Sequence, residues 1–309
     1  MDTALLLVNL ALALLVAPLL NGLIKRTKAG WQNRQGPGML QPWLDLWKYL
    51  GRESVESRHT SWIFRWAPYV YFSAHLAAAA MVPTLVAASP LGGLGDVIVL
   101  VGLLALARFA LALAALDTAS NFGGMGTSRE MAFASLVEPA MLIALFALAI
   151  PIGSTELGTL VGEGSLTVSR LLALGALSIV AIAETGRIPI DNPDTHLELT
   201  MAHEGMLLEY SGRPLGMLLW GTHLKQLAIL SLLGGLLFPI GMAPDMSALP
   251  LALGLGSYLL KLALLGLAVA LVESTNVKLR IFRVPELLGA ASMLGLLAVT
   301  SIYLVGGLG

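Results

Sequence analysis

The densest group of titratable residues in this chain lies between residues 184 and 209. Six carboxylates crowd into these 26 residues, and they are Glu184, Asp191, Asp194, Glu198, Glu204 and Glu209. Close carboxylates repel one another, so some of them hold protons at a higher pH than isolated groups do. His196 and His203 add side chains whose charge changes near neutral pH. The pattern favours proton exchange along this segment, and an ordinary solvated acidic loop is the alternative.

Further charged residues fall inside long apolar stretches of the sequence. Three lie deep within these stretches and three lie nearer their ends, namely Arg108, Glu138 and Lys261, and then Glu184, Lys225 and Glu273. A charge at the centre of a bilayer costs at least about 2.5–3.5 kcal/mol, so the deep ones must face one another, water or a neighbouring subunit. Lysine and glutamate can exchange protons there, while arginine keeps its charge. We expect a hydrated path for protons or another cation, with inert ion pairs and snorkelling side chains as alternatives.

The composition excludes several classes of protein. Hydrophobic residues make up 57% of the chain and charged residues 12%, with a mean hydropathy of +0.82. A soluble domain carries roughly 25% charged residues, which it needs to cover its surface. The absence of cysteine excludes a disulfide scaffold, a thiolate metal site and a self-ligated iron–sulfur cluster. A net charge of −1 without a basic face argues against nucleic-acid binding.

Hydropathy identifies eight stretches that are long enough to cross a membrane. A bilayer core needs about 20 mostly apolar residues per helix. The stretches of that kind are residues 4–24, 67–88, 96–116, 131–151, 166–184, 221–241, 249–272 and 287–306. Apolar runs of this length without alternation predict helices rather than strands. The expected fold class is therefore all-α, a polytopic membrane protein formed by a single integral membrane domain over residues 1–309.

Lysine and arginine are concentrated in the segments that follow the first, third, fifth and seventh stretches. Loops rich in these residues stay in the cytoplasm. We therefore expect both termini outside and the long loops inside, in the plasma (inner) membrane. No positive charge precedes the first stretch, which predicts a retained anchor rather than a cleaved signal. Two cytoplasmic segments are too long to be simple turns, residues 25–66 and the acidic segment 185–220.

The first cytoplasmic segment contains a tight turn and an amphipathic stretch. Residues 33–38 read NRQGPG, and their glycines and proline favour a turn. Beyond the turn, apolar residues are interleaved with charges, namely Trp43, Leu44, Leu46, Trp47 and Leu50 with Asp45, Lys48 and Arg52. This pattern predicts a helix that lies at the membrane interface or under a partner protein.

The two cytoplasmic segments resemble those of a known family, the eight-span membrane subunit shared by respiratory complex I and the complex I-related NiFe hydrogenases. The NRQGPG turn and the following stretch from Leu40 to Glu53 are similar to that family's first cytoplasmic loop. The acidic segment occupies the matching place after the fifth span and ends in the sequence Glu209-Tyr210-Ser211-Gly212. The resemblance extends over nearly the whole chain.

Within the family, the chain resembles the hydrogenase branch, of the formate hydrogenlyase and hydrogenase-4 type, more than the quinone-reducing branch. Residues 184–200 and the sequence Ser128-Arg129-Glu130 followed by Glu138-Pro139 are similar to the hydrogenase subunits. Quinone-reducing members usually have a Pro-Phe-Asp core where this chain has Pro189-Ile190-Asp191-Asn192-Pro193. This difference counts against a quinone site.

The resemblance implies a membrane anchor and ion-coupling subunit of a complex I-like NiFe hydrogenase. Its partners would be the large and small hydrogenase subunits, an iron–sulfur subunit, antiporter-like membrane subunits and the lipid bilayer. The NiFe centre and the iron–sulfur clusters would belong to those partners, and this chain would bind no cofactor or metal. The residues implied in partner docking are Arg34, Gly36, Pro37, Asp45, Lys48, Arg52 and Glu53. Those expected on the proton or ion path are Arg108, Glu138, Glu184, Asp191, Glu198, His203, Glu204, Glu209, Lys225 and Lys261.

Three other functions are compatible with the sequence. The chain could be the quinone-chamber component, called the H subunit, of an NADH:quinone oxidoreductase, which bound quinone or inhibition by a quinone analogue would indicate. It could be a stand-alone cation transporter, which would purify alone and transport ions in vesicles. It could also be a structural anchor in which each intramembrane charge belongs to an inert ion pair.

Overall fold

The computed structural model describes residues 2–57, 59–86, 92–162, 167–191, 202–243 and 247–306. Over these ranges the chain is helical and contains no β-strand. The helices are, in chain order, α1 (Asp2–Trp31), α2 (Gln41–Leu50), α3 (Trp62–Met81), α4 (Val97–Asp117), α5 (Asn121–Ala149), α6 (Leu157–Gly162), α7 (Val168–Glu184), α8 (His203–Leu207), α9 (Gly212–Leu237), α10 (Ala248–Thr275) and α11 (Val284–Gly306). The all-α fold class is thus confirmed.

Each of the eight predicted spans coincides with one of the long helices. Five stretches of the described chain are long and apolar enough to cross a bilayer, and they are Leu5–Trp31, Val97–Asp117, Asn121–Ala149, Leu249–Thr275 and Ile281–Leu304. Of the other three long helices, α7 has only 17 residues, while α3 and α9 bury the polar side chains of His75, Lys225 and Gln226. The count of eight spans stays a prediction.

Helices α5 and α9 begin earlier than the predicted spans. Helix α9 starts at Gly212, so the acidic segment is shorter than the predicted range 185–220. Pro214 fits the first turn of a helix, where no amide hydrogen is needed. Helix α5 starts at Asn121 rather than at residue 131. Its first turns carry Arg129 and Glu130, which lower the local hydropathy and hide this part of the helix from a hydropathy window.

The segment between α1 and α3, which is predicted to be cytoplasmic and is called the first cytoplasmic segment for that reason, folds back along α1. The chain reverses at Asn33, which has a φ of 53°. Gly36 then passes so close to α1 that a Cβ atom added to it would lie 2.7 Å from the Cβ of Ala29. Further along, the Met39 carbonyl oxygen lies so close to Gly22 that it would collide with any Cβ atom there. The NRQGPG turn therefore returns the chain along α1 and places α2 beside it.

Helix α2 lies where the sequence predicts an amphipathic helix. Leu46 is buried, and the Trp43 indole donates a hydrogen bond to the Leu15 carbonyl of α1 at 3.2 Å. The opposite face carries Leu44 and Trp47, which are 62% and 78% exposed. An exposed apolar face of this size fits the predicted position at the membrane interface or under a partner.

A proline in α3 links this helix to the acidic segment. Pro68 has no amide hydrogen, so the Phe64 carbonyl loses its helical partner. The Tyr210 hydroxyl donates a hydrogen bond to this carbonyl at 2.9 Å, and its ring stacks on Phe64 at 4.0 Å. The pairing avoids an unsatisfied carbonyl inside the protein, which would be costly. Tyr210 therefore fastens the end of the acidic segment to α3.

The two long cytoplasmic segments also contact each other directly. The Ser211 hydroxyl accepts a hydrogen bond from the Val55 amide at 2.8 Å and donates one to the Val55 carbonyl at 3.1 Å. Gly212 has a φ of 53°, and a Cβ atom there would collide with the Glu53 carbonyl group. The sequence Tyr210-Ser211-Gly212 thus has a structural role, which is to hold the two segments together.

Replacing Gly212 by alanine tests this contact. The added methyl group would overlap the Glu53 carbonyl, and overpacking of this kind costs about 1–3 kcal/mol beyond the backbone strain. We expect G212A to lower the thermal unfolding midpoint of the purified protein more than the control G153A does. Gly153 has a φ of 72° and no atom within 4 Å of an added Cβ, so it reports strain alone. If both variants lower the thermal unfolding midpoint equally, the close contact between Gly212 and Glu53 is contradicted.

Candidate functional site

The buried charges meet around Arg108 on helix α4. Its guanidinium forms ion pairs with Glu138 of α5 through Nη1 and with Glu184 of α7 through Nη2. The Oε1 atom of Glu130 lies 3.8 Å from Nε. The side chains of Arg108 and Glu184 are 8% and 1% exposed, so this Arg108 cluster of four residues lies inside the helical bundle. Arg108 and Glu138 therefore face each other rather than lipid.

Helix periodicity explains how three helices supply the Arg108 cluster. Glu130 and Glu138 are eight residues apart on α5, a little over two turns, so they share one face of that helix. Arg108 lies nine residues before the end of α4, roughly 14 Å from it at the helical rise per residue. Glu184 is the last residue of α7. The cluster thus lies where the end of α7 meets the middle of α4 and α5.

The charges around Arg108 do not balance. Lys225 of α9 is 7% exposed and lines the same two cavities as Arg108, Glu130 and Glu184. Within the described ranges, Lys225 forms no ion pair. With all groups ionised, two cations face three carboxylates and the net charge is −1. Uncompensated charge in a protein interior is costly, so the cluster favours binding of one further proton or cation.

A cavity of about 120 Å³ lies beside the Arg108 cluster. Its charged wall consists of four carboxylates and four cations, namely Glu130, Glu184, Asp191 and Glu204, and Lys25, Arg108, Arg187 and Lys225. One water molecule needs roughly 10–15 Å³ of such space, so several can fit. The cavity connects the acidic segment, through Asp191, His203 and Glu204, with the Arg108 cluster.

A second group of polar side chains surrounds Arg187 on the other side of the cavity. Its guanidinium pairs with Glu273 at 3.2 Å and donates hydrogen bonds to Asn21 at 2.9 Å and to Gln226 at 2.7 Å. Lys28 pairs with the other Glu273 oxygen at 3.2 Å. These contacts hold the start of the acidic segment against α1, α9 and α10, and with all groups ionised two cations face one carboxylate, a net charge of +1.

The acidic segment is also attached to the connection between α10 and α11. Lys278 forms an ion pair with Asp191 at 2.7 Å. The Leu279 amide donates a hydrogen bond to the Pro189 carbonyl, also at 2.7 Å. Asp191 is therefore a paired carboxylate rather than part of a freely solvated acidic loop.

His203 begins the short helix α8 and points back into the bundle. Its Nε2 atom lies 3.3 Å from the Thr222 hydroxyl, which in turn lies 3.1 Å from the Tyr71 hydroxyl. Burial lowers the pKa of His203 to about 3, and the positive charge of Lys225 adds to this effect. The sequence predicts a histidine that titrates near neutral pH, whereas this lowered pKa favours the neutral imidazole in that range.

Some residues of the predicted path lie outside this site. Lys261 of α10 lines a separate small cavity with Thr84, Ser231 and Tyr258. It is apart from the Arg108 cluster because α10 packs on α1 and α9, whereas the cluster joins α4, α5 and α7. Glu209 is exposed at the surface, and Glu198 lies outside the described residues. The predicted residues that the structure does bring together are Arg108, Glu138, Glu184, Asp191, His203, Glu204 and Lys225.

Sequence reasoning missed several polar residues of the site. They are Asn21, Tyr71, His75, Glu130, Thr222, His223 and Gln226. Glu130 could have been found from its spacing to Glu138, because residues eight apart share a helix face. The run from His223 to Gln226 is a second usable signal, since it interrupts an otherwise apolar helix. The uncharged side chains of α1 and α3 gave no such signal.

The residues predicted to dock partner subunits lie on the surface of the first cytoplasmic segment. All seven are exposed, namely Arg34, Gly36, Pro37, Asp45, Lys48, Arg52 and Glu53. The Asp45 carboxylate accepts a hydrogen bond from Gln41 at 2.9 Å. Their accessibility fits a docking role, which stays a prediction. In the part of the chain that the structure describes, no group of three or more His, Asp or Glu side chains could hold a metal ion.

The NADH dehydrogenase family model matches residues 3–305. The chain belongs to this family. Formate hydrogenlyase subunit 4 of Escherichia coli (strain K12) is 37% identical over 292 residues, which cover 93% of this chain and 94% of that protein. Hydrogenase-4 component C of the same organism is 37% identical over 266 residues, with 85% and 84% covered. The H subunit of the NADH-quinone oxidoreductase of Salinibacter ruber (strain DSM 13855 / M31) is 30% identical over 224 residues, with 66% and 63% covered.

A solved structure of a related complex confirms the fold. One chain of the membrane-bound sulfane sulfur reductase, an archaeal respiratory membrane complex, superposes with a TM-score of 0.82 over 97% of this chain and 99% of that chain. At 21% identity, this likeness shows the fold alone. The predicted family resemblance is confirmed, and the apolar helices together with these relatives make the chain a multi-pass membrane protein.

Removing the guanidinium of Arg108 should destabilise the protein strongly. Three carboxylates would then face one another without their counter-charge, and breaking a buried pair in this way costs about 3–5 kcal/mol. Arg65→Gln is the matched control, because Arg65 pairs with Glu56 at the surface and is 65% exposed. Such surface pairs contribute about 0–1 kcal/mol. The free energy of unfolding of each variant can be measured in mixed detergents. If R108Q lowers it as little as R65Q does, the buried cluster is contradicted.

The lowered pKa of His203 predicts acid sensitivity. Between its ordinary value of 6.5 and the folded value of about 3, the unfolded chain binds a proton at this residue that the folded chain does not. Stability contributed by the neutral imidazole is therefore lost as the pH falls through this range. We expect His203→Gln to flatten the fall of the unfolding midpoint between about pH 6.5 and pH 4, while the exposed control His59→Gln leaves the slope unchanged. If H203Q leaves the fall of the unfolding midpoint with pH unchanged, His203 is not the cause of the acid sensitivity.

Proposed function

We propose that this chain is the membrane anchor and ion-coupling subunit of a complex I-like NiFe hydrogenase of the formate hydrogenlyase or hydrogenase-4 type. Two relatives at 37% identity, one a subunit of formate hydrogenlyase and one a component of hydrogenase-4, support this assignment. The chain would link redox chemistry in a soluble arm to proton or sodium translocation in a membrane arm.

The observation that carries the coupling role is the charge imbalance of the Arg108 cluster. A site built only for stability would pair each carboxylate with a cation, as Lys28 and Arg187 do with Glu273. Around Arg108, three carboxylates share one guanidinium and the nearby Lys225. Binding of one proton would bring the net charge of this cluster from −1 to 0, so such a site can take up a proton at small cost.

The cavity provides the route by which a redox event could change this charge. Asp191, His203 and Glu204 belong to the acidic segment and line the same cavity as Arg108 and Lys225. A movement or charge change of the acidic segment therefore alters the field at the Arg108 cluster through a space that can hold water. Glu138 pairs with Arg108 and its side chain is 33% exposed, so it links the cluster to the outside of the helical bundle. In this mechanism protons enter from the segment and leave through Glu138.

Lys261 has a different place in this proposal. It lies near the middle of α10, 13 residues from the first residue of that helix, or about 20 Å. Its neighbours Leu260 and Leu264 are 61% and 50% exposed. The lysine thus lies beside an uncovered apolar face at mid-membrane depth. We assign this face to the contact with an antiporter-like membrane subunit, to which the charge change would pass.

The membrane placement that we propose has eight spans, both termini outside and the long segments in the cytoplasm, within one domain over residues 1–309. Exposed aromatic residues support it, because Trp and Tyr are enriched at membrane–water interfaces. Trp31 at the end of α1 and Trp62, Trp66 and Tyr69 at the start of α3 are 50%, 70%, 62% and 50% exposed. All four lie on the side predicted to be cytoplasmic.

The soluble partners would dock on this same side. The exposed charges of the first cytoplasmic segment and the apolar face of α2 offer a mixed surface to the large and small hydrogenase subunits and the iron–sulfur subunit. The NiFe centre and the iron–sulfur clusters would belong to those subunits, since this chain has no cysteine to bind them.

Replacing Glu138 or Glu204 by glutamine tests the coupling role. Each change removes a proton-binding group with little change in volume, so we expect the complex to assemble and keep hydrogenase activity with a soluble dye, but to lose coupled ion transport in proteoliposomes. Glu286→Gln is the control, because Glu286 is an exposed carboxylate at the start of α11. Full coupled transport in E138Q and E204Q would refute the proposed path.

The same preparation separates the rival functions. A quinone-chamber subunit should contain bound quinone and be inhibited by quinone analogues, and the relative from NADH-quinone oxidoreductase gives this rival some weight. A stand-alone transporter should purify without other proteins and transport ions alone. Our proposal requires that hydrogenase subunits copurify with this chain in mild detergent.

A further inference from the structure

His75 on α3 is a buried histidine that the proposed path does not use. Its side chain is 1% exposed, and neither ring nitrogen has a hydrogen-bond partner among the described protein atoms. A buried polar group without a partner costs about 1–3 kcal/mol. Such groups in native proteins usually meet an ordered water molecule or an ion. The imidazole therefore requires a partner that the described chain does not supply.

A second, smaller cavity lies beside this imidazole. Its volume is about 10 Å³, and its polar wall consists of Tyr71, His75, Arg108, Glu130, Glu184, His203 and Lys225. This volume is close to the roughly 10–15 Å³ that one water molecule needs, and a buried water also needs two to four polar partners. The cavity meets both requirements for a single water.

The contacts on the wall show which groups this water would join. The hydroxyls of Tyr71 and Thr222 pair with each other at 3.1 Å, and Thr222 also contacts His203 at 3.3 Å. Arg108 is occupied by its carboxylates. Three polar groups on the wall have no hydrogen bond within the described chain, and they are His75, Lys225 and Glu130, whose carboxylate lies 3.8 Å from Arg108.

The position of His75 is fixed by the aromatic ring one helical turn before it. The rings of Tyr71 and His75 meet edge to face, with centroids 4.3 Å apart. Residues four apart on a helix lie on the same face, so both project from α3 towards the cavity. The geometry holds the imidazole in place without using either ring nitrogen.

We propose that the small cavity binds one water molecule that bridges the Lys225 amine and the His75 imidazole, which makes His75 a further proton acceptor of the coupling site. In the transfer, an N–H bond of the Lys225 ammonium breaks and its proton joins the water. The water gives one of its own protons to a ring nitrogen of His75. Lys225 becomes a neutral amine, His75 becomes an imidazolium, and the total charge is unchanged.

The surrounding charges make this transfer reversible. Glu130 and Glu184 on the same wall stabilise an imidazolium, whereas Arg108 opposes it. His203 and Tyr71 face the same space as neutral groups. Burial and Arg108 favour the neutral imidazole, so the proton rests on Lys225 and passes to His75 only transiently, to an extent that depends on the charge of the three carboxylates around Arg108. The inference rests on the proposed coupling function, and it adds to the path a His75 branch that proton transfer requires.

Replacing His75 by asparagine tests the branch in the whole complex. Asparagine keeps a hydrogen-bonding side chain for the water but does not accept a proton. We expect H75N to keep assembly and hydrogenase activity with a soluble dye, and to lower the rate of ion uptake in proteoliposomes on the order of 100-fold, the lower range for removal of a positioned proton acceptor. His59→Asn, at an exposed histidine, is the control.

A double variant separates proton transfer from simple packing. If His75 and Lys225 act through one water, H75N should cause no further loss of transport in a K225M background, since the relay is already broken. The inference would be overturned if the double variant lost transport by the product of the two single losses, or if H75N transported ions at the wild-type rate. If E138Q uncouples the complex while H75N does not, only the His75 branch fails, and if both leave transport intact, the coupling function itself is wrong.

An experimental map of the wild-type complex gives an independent test. At a resolution that shows other buried waters, we expect density for one water between the His75 ring and the Lys225 amine. This map tests for the bridging water even if the H75N variant does not assemble. A map with these two side chains in direct contact, or with an apolar side chain filling the space, would overturn the proposal.

Discussion

The ion pairs of Arg108 with Glu138 and Glu184 fix how helices α4, α5 and α7 meet inside the bundle. Charged side chains are tolerated at this depth only when they pair with one another or with water. Here the pairing is incomplete, because three carboxylates share the space with one guanidinium and one lysine. The rest of the site depends on this imbalance. In the proposed mechanism it lets the interior take up one proton, with water in the neighbouring cavity as the route.

The neighbouring Arg187 group shows what a purely structural solution looks like in the same chain. Arg187 and Lys28 share Glu273, and the remaining guanidinium hydrogen bonds go to the neutral amides Asn21 and Gln226. This group anchors the acidic segment, and Asp191 adds a further attachment through Lys278. These contacts fix one side of the cavity, while the proposed change of charge takes place at the Arg108 cluster on the other side.

The cytoplasmic segments connect this interior to the surface where partners would bind. Ser211 and Gly212 hold the acidic segment on the backbone near Val55, and Tyr210 holds it on α3 through the carbonyl that Pro68 leaves free. A partner that docks on the first cytoplasmic segment would therefore contact the same unit that leads to His203 and Glu204 in the cavity wall. The connection is made by hydrogen bonds to the backbone and by close packing, so a movement of one segment would move the other.

Much of this fold could be predicted from the sequence, because apolar runs of about 20 residues define membrane helices with few alternatives. Deep charges such as Arg108 and Glu138 could be recognised as site residues, since only a paired or functional charge persists there. Their partners could not be assigned, because ion pairs between helices depend on packing that no local pattern encodes. For the same reason Lys261 could not be separated from the others, and the burial that keeps His203 neutral was invisible. Neutral members such as Asn21 and Thr222 gave no signal at all.

Infrared difference spectroscopy of the assembled complex, between its oxidised and reduced states, tests the central claim most directly. If the Arg108 cluster gains or loses a proton with the redox state, the wild-type complex should show a change in a protonated carboxylic acid band, and that band should disappear when Glu138 is replaced by glutamine. A spectrum without any carboxylic acid change, or a change that persists unaltered when Glu130, Glu138 and Glu184 are each replaced, would contradict the account.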